Sequence, residues 1–394
     1  MSSRFKTVWL LALVNAIALS AIPMMMLIGS IIGTELAPGE RWATLPITAM
    51  VIGTALGVTP AARLMAAAGR RSGFFTFVCI GIAACGVLGL ALEWRSFTVF
   101  CIGALLLGTT AAALQQIRFA AMESVPLEDG PTAASIILCA GIVAAFLGPE
   151  LALWGESLTE VQYQGSYWLG SLCLLAGGSL LFFYRPARIA QQATVSGGRS
   201  IVELLRSPTI LLAIVSGASA YMVMSFVMTA TPISMHVHHG HSMVDTKWVL
   251  QSHIAAMFLP SLFTAWLFRL VGIRGLMLAG LVCYVCTIAI GLVDASLLGF
   301  WGQLVMLGVG WNFLFVAGTA LLPMGYREGE QYRGQALNDS VVFSSQAAAS
   351  LSAGWAISAV SWQSLLLFCL LPMALLALLL AAGRQQTLGH DTAG

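Results

Sequence analysis

Long apolar runs, each close to the length of a membrane crossing and separated by short polar turns, dominate the chain almost from end to end. A hydrocarbon core about 30 Å thick takes roughly 20 residues of α-helix, so each run predicts one span. The runs fall near 7–33, 43–68, 73–93, 97–121, 131–155, 165–185, 208–235, 246–270, 273–293, 297–321, 333–360 and 362–383, which makes twelve. The gaps are too short for a large extramembrane domain. One sizeable polar stretch, 186–207, divides the spans six and six. The pattern predicts an all-α membrane protein of twelve transmembrane helices: an N-terminal six-helix bundle at 1–185, a cytoplasmic linker at 186–207 and a C-terminal six-helix bundle at 208–394.

Composition agrees and narrows the function classes. Of 394 residues, 59% are hydrophobic and 9% charged, whereas a soluble surface needs about 25% charged residues. A net charge of +2 disfavours nucleic acid as a partner. All eight cysteines lie in apolar runs, as small core residues do, which argues against a disulfide scaffold. An even number of spans puts both termini on one side, and Arg4 and Lys6 make that side cytoplasmic. With this register fifteen Lys and Arg fall inside, and only Arg41, Arg95 and Lys247 fall outside. Ala18-Leu19-Ser20 resembles a signal-peptide cleavage site, but the apolar stretch continues to Ile32, which predicts an uncleaved first helix.

The two halves carry an internal repeat. The second span ends in Pro60, Arg63 and Gly69-Arg70-Arg71; the eighth ends in Pro260, Arg269, Gly272 and Arg274, about 203 residues later. A repeated six-helix unit joined by a basic linker is the design of transporters that rock two bundles about a central site. Over essentially the whole chain this resembles the major facilitator superfamily. Gly69-Arg70-Arg71 looks like the end of that family's loop motif between spans two and three, with Ala66 near the place of its usual acidic residue. Gly148-Pro149 is similar to the family's Gly-Pro motif in span five.

Candidate chemistry concentrates at the start of the second half. His236, His238, His239, His241 and His253 lie within eighteen residues, among Met222, Met224, Met228, Met235, Met243 and Met257. Met224 and Met228 stand four residues apart in the seventh span, and His253 and Met257 likewise in the eighth, so each pair shares one helix face. At 1.5 Å rise per residue the two pairs sit at matching depths, about 10 and 16 Å from the outer ends of their helices. Uncharged thioether and imidazole favour Cu(I) over Mg, Ca or Zn. The outward loop of His236, His238, His239 and His241 reads either as metal capture or as a solvated or pH-sensitive segment. A lone pair of methionines in an apolar helix is ordinarily packing, whereas His253 inside a span is costly without a partner.

These paired motifs look like those of CcoA-type bacterial copper importers, a subgroup that also includes riboflavin transporters. Gln115-x-x-Arg118, Gly310-Trp311-Asn312-Phe313 and Gln335-Ala-Leu-Asn338-Asp339 look shared across the subgroup. The resemblance implies a bacterial inner-membrane protein that imports copper by alternating access through Met224, Met228, His253 and Met257, exchanging the ion with a periplasmic or cytoplasmic chaperone. The alternative is import of riboflavin or another small organic solute, or drug/proton antiport. Copper enters as cargo, and no resident cofactor is expected. Glu150 and Asp339, carboxylates inside spans, are candidates for proton coupling. Arg118 reads as a helix-end anchor or gate. Trp311 and Asn312 suit a cavity wall, since a planar ring needs aromatic faces and amide hydrogen bonds. Cys283-x-x-Cys286 reads first as packing, and Met24-Met25-Met26 offers at most one or two further thioethers from the pseudo-equivalent first span, since consecutive residues point in different directions. With no nucleophile motif and no phosphate-binding loop, neither an enzyme nor direct ATP coupling is expected.

Overall fold

The computed structural model describes residues 5–126, 129–185, 199–327 and 330–391. Of the predicted linker, 186–198 lies outside the described residues, as does Arg4. The chain is helical throughout the predicted spans. Helices long and apolar enough to cross a membrane include Lys6–Leu36, Glu40–Ala68, Arg70–Glu93, Phe97–Glu123, Gln164–Phe183, Pro208–His238, Trp266–Val293, Leu297–Gly325 and Trp362–Ala382. The other three spans are helices Gly130–Gly155, Met243–Phe258 and Gln331–Ala359. The fifth contributes a shorter apolar stretch, Cys139–Gly155. The eighth and eleventh are interrupted by polar residues, Lys247, Gln251 and His253 in one and Asn338, Asp339 and Ser350 in the other.

Local chemistry explains the breaks. The first span is split between Ala18 and Ala21, where the ring of Pro23 opposes the carbonyl of Leu19 four residues earlier. The eighth span tightens to a 3-10 turn at Leu259–Phe263, which contains Pro260. Gly69 and Gly272 end the second and eighth spans with φ of 87° and 68°, a conformation that a Cβ makes costly. The glycine that turns the chain is thus repeated between the halves, along with the basic residues around it.

Helix pairing repeats as well. In the first half the second span packs on the fourth, the third on the fourth and sixth, and the first on the fifth; in the second half the eighth packs on the tenth, the ninth on the tenth and twelfth, and the seventh on the eleventh. Small residues permit the closest approach. A Cβ on Gly53 would collide with the Leu105 carbonyl oxygen, and one on Gly108 with that of Met50, so facing glycines let the second and fourth spans meet backbone to backbone.

The basic end is pinned by charge. Arg70 Nε donates to Glu123 at 3.0 Å, fastening the turn after the second span to the end of the fourth. Arg199 Nε and Nη2 donate to Glu330 at 2.9 and 2.6 Å, and the Arg327 backbone N–H adds another donor at 2.8 Å. That grip holds the short helix Ile201–Leu205, itself started by a Ser200–Glu203 capping box, against the second half. Leu204 beneath it packs with Ile210, Ala213, Ile214 and Leu322.

Candidate functional site

The predicted metal donors come from two helices that both pack on the tenth span. Met224 and Met228 are buried in the seventh span and His253 in the eighth. Each of these two spans packs extensively on the tenth, and they share no extended contact with each other. His253 Nδ1 lies 2.8 Å from the Leu304 carbonyl oxygen of the tenth span. A carbonyl only accepts, so Nδ1 carries the proton, and the Nε2 lone pair is buried with no hydrogen-bond partner among the described residues. Met257 presents its backbone carbonyl to Asn312. Matching depth along two helix axes says nothing of rotation about them, and each of the two helices turns a face to the tenth span.

Three of the four outer histidines are held by backbone carbonyls. His236 Nδ1 bonds the His241 carbonyl at 2.9 Å, His239 Nδ1 the Ser234 carbonyl at 2.7 Å, and His241 Nε2 the Ala295 carbonyl at 3.1 Å. His239 and His241 both stand edge-on to Phe300. Three rings thus fasten the loop to its own backbone and to the turn before the tenth span, while His238 is exposed. Among the described residues no three His, Cys, Asp or Glu side chains group as a metal site. Cys283 and Cys286 are half-buried free thiols.

Among the described residues, hydrogen bonds between the two halves gather at the end opposite the basic one. Lys247 Nζ donates to Glu150 Oε1 at 2.7 Å, joining the eighth span to the fifth. Next to it Gln251 Nε2 donates to the Phe146 carbonyl at 2.9 Å. The Ser350 hydroxyl of the eleventh span lies 3.1 Å from Thr48 of the second and 3.3 Å from Thr229 of the seventh, and Thr44 donates to the Ser350 carbonyl. Gly354 presses against Thr44 one turn further on. The sequence presents Glu150 as a carboxylate seeking a partner and Lys247 as an external charge. Their shared position at the far ends of the fifth and eighth spans is the signal that could have joined them.

The basic end is arranged otherwise. There the eleventh span exposes Gln335, Asp339, Ser340 and Ser344, although the same helix is buried at Ala349, Ser350 and Ala353. Asp339 accepts a hydrogen bond from its neighbour Asn338 at 3.1 Å and has no ion pair among the described residues. Arg118 of the fourth span lies over the Phe119 ring and makes no hydrogen bond among the described residues. Its charge reaches across to the second half, where it acts on both Asp339 and the Tyr221 hydroxyl. Tyr221 is edge-on to Trp311, Phe315 and Phe343, with centroids 5.3, 5.4 and 6.1 Å away, and Trp311 stacks on Phe315 at 5.0 Å. The seventh, tenth and eleventh spans thus share an aromatic wall. Asn312 beside Trp311 faces elsewhere, donating to the Met257 carbonyl and to Ser261 at 2.7 and 2.6 Å. Tyr221, Phe315 and Phe343 went unnoticed in the sequence because they come from three separate spans.

Two repeated bundles joined at one end and carrying facing charges toward the other have the design of a secondary transporter. No family model matches the chain. It is 32% identical over 380 residues to the riboflavin transporter RfnT of Brucella anthropi, covering 95% of each protein. It is also 27% identical over 360 residues to the uncharacterized MFS-type transporter YddS of Bacillus subtilis, covering 86% of this chain and 81% of that one. Among solved structures it superposes on a mutant of the nucleoside transporter NupG with a TM-score of 0.77, over 96% of this chain and 99% of that one, at 11% identity, a likeness of fold. The chain belongs to the major facilitator superfamily of transporters.

Proposed function

We propose that the protein imports a small organic solute of the riboflavin kind across a bacterial cytoplasmic membrane by alternating access. The observation that carries this reading is likeness along nearly the whole chain to a transporter named for riboflavin. The geometry is compatible with it: by the distribution of Lys and Arg the basic end is cytoplasmic. The conformation is then closed outside by Glu150–Lys247 and the Ser350 hydroxyls and opened inside beside Asp339. Both termini lie in the cytoplasm in this orientation. No catalytic step, bound cofactor or chaperone is required.

Copper as cargo, the first expectation from the Met and His pairs, loses ground on two counts. The seventh and eighth spans, which carry the donors, share no extended contact, and the relative that reveals the family is named for riboflavin. The deciding experiment expresses the protein in a bacterium unable to make or import riboflavin, then follows growth and uptake of labelled riboflavin. Uptake above the empty-vector control is expected. A protein that reaches the membrane in normal amount and gives neither growth nor uptake overturns the proposal.

A further inference from the structure

We infer that Arg118, Asp339 and the wall of Tyr221, Phe315 and Phe343 form the solute site, and that it takes a planar, uncharged ring system bearing both hydrogen-bond donors and acceptors. This rests on the transport reading above and deepens it.

Depth along the helices places these groups at neighbouring levels. Counting 1.5 Å per residue from the basic ends, Phe315 lies about 9 Å deep, Asp339 about 12 Å, Phe343 about 18 Å and Tyr221 about 20 Å, while Arg118 lies about 8 Å from the end of the fourth span. Phe343 and Tyr221 thus lie near the middle of the membrane, where transporters of this design hold their cargo, and Phe315 carries the wall down to the level of the charges. The two charges stand on the cytoplasmic side of Phe343 and Tyr221, one from each half. Tyr221 is only partly buried, and its hydroxyl has no hydrogen-bond partner among the described residues.

An aromatic wall offers faces and edges to a flat ring. Arg118 supplies donors to ring carbonyl oxygens, and Asp339 accepts from hydroxyl or imide groups. One cation and one anion sum to zero, so a neutral dipolar solute is matched by both, whereas an ionic solute meets one attraction and one repulsion. The groups also come from opposite halves. A solute spanning them bridges the two bundles at the level where they separate, and occupancy thereby bears on the inward–outward equilibrium.

The test separates ring from side chain in uptake competition. With the wild-type protein, lumichrome, which keeps the ring and lacks the polyol, competes with labelled riboflavin, and ribitol does not. Y221L raises the KM for riboflavin at least tenfold and abolishes lumichrome competition, while Y221F retains more affinity than Y221L. D339N and R118Q raise KM without lowering the amount of protein in the membrane. Competition by ribitol and not lumichrome, or a wild-type KM in Y221L, overturns the site while leaving riboflavin transport standing. If the wild type does not transport riboflavin, lumichrome titration of the purified protein decides. Quenching of tryptophan fluorescence in wild type and not in Y221L keeps the site with a different planar cargo. No quenching in either overturns it.

Discussion

Replacing Glu150 by Gln measures how firmly the outer closure is held. Lys247 Nζ and Glu150 Oε1 are 2.7 Å apart, with the side chains 9% and 29% exposed, so the pair is sheltered without being sealed from water. A hydrogen bond to a charged group contributes about 1.5–3 kcal/mol net and a neutral one about 0.5–1.5. The E150Q side chain keeps an oxygen within reach of the Lys247 ammonium but loses the opposite charge, so the bond falls from the upper to the lower end of the charged-group range, a loss of about 1–1.5 kcal/mol. That energy belongs to the conformation in which the pair exists, because opening the outer end hydrates both groups separately. At 1.4 kcal/mol per factor of ten, E150Q multiplies the outward-open to inward-open ratio roughly five- to tenfold. Thr44, 1% exposed and pressed between Gly354 and the Ser350 carbonyl, becomes accessible only when the halves part there. In a background without the native cysteines, T44C should react with an externally applied, impermeant maleimide about five- to tenfold faster when E150Q is added. The double exchange E150K/K247E should return the rate toward its starting value. An unchanged rate in E150Q, or equal acceleration in the exchanged pair, would show that the ion pair does not hold the closure.

Gly354→Ala adds a Cβ that collides with Thr44 Oγ1; outward opening should again increase, read as faster labelling from outside at Thr48→Cys, and no acceleration refutes the role of this contact. Gly108→Ala forces the fourth span off the Met50 carbonyl, and overpacking of this kind costs about 1–3 kcal/mol, so the purified protein should unfold at a lower temperature than wild type. The Arg199 guanidinium beside Glu330 holds its carboxyl well below the usual value of 4.5. The anchor is therefore at full strength above that value and weakens only as pH falls through the lower folded value. Hydrogen exchange over 199–206 should be protected equally at pH 5 and pH 8 after correction for intrinsic rates, and faster at both in E330Q; loss of protection in wild type between pH 8 and 5 would contradict this. Chelation of Cu(I) should leave riboflavin uptake unchanged, and a copper requirement would return attention to His253.

Hydropathy revealed the twelve crossings because the bilayer demands a run of apolar residues whatever packs beside it, and Gly69 and Gly272 revealed the repeat because a left-handed turn demands glycine wherever it falls. Both demands are local. The site depends on rotation of one helix relative to another, which periodicity and depth do not determine. Met224 with Met228 and His253 with Met257 match in depth, while their helices each pack on the tenth span and share no extended contact with each other. Glu150 and Lys247 met without either signalling the other, because their partnership is made by the fifth span lying on the eighth. The usable signal was the polarity of particular spans. Serines, amides and charges are hard to place against lipid, so a span carrying many of them turns toward protein or toward a water-filled path. The eighth and eleventh spans are of this kind, and they supply Lys247, Gln251, Ser350 and Asp339, which join the bundles at one end and face the opening at the other. The same reasoning separates His253 from Asp339. A neutral imidazole held by the Leu304 carbonyl is satisfied on one side by its own bundle, whereas among the described residues Asp339 accepts a hydrogen bond from Asn338, forms no ion pair, and has the charge of Arg118 across from it. A polar group that its own half leaves underused is the one available to cargo.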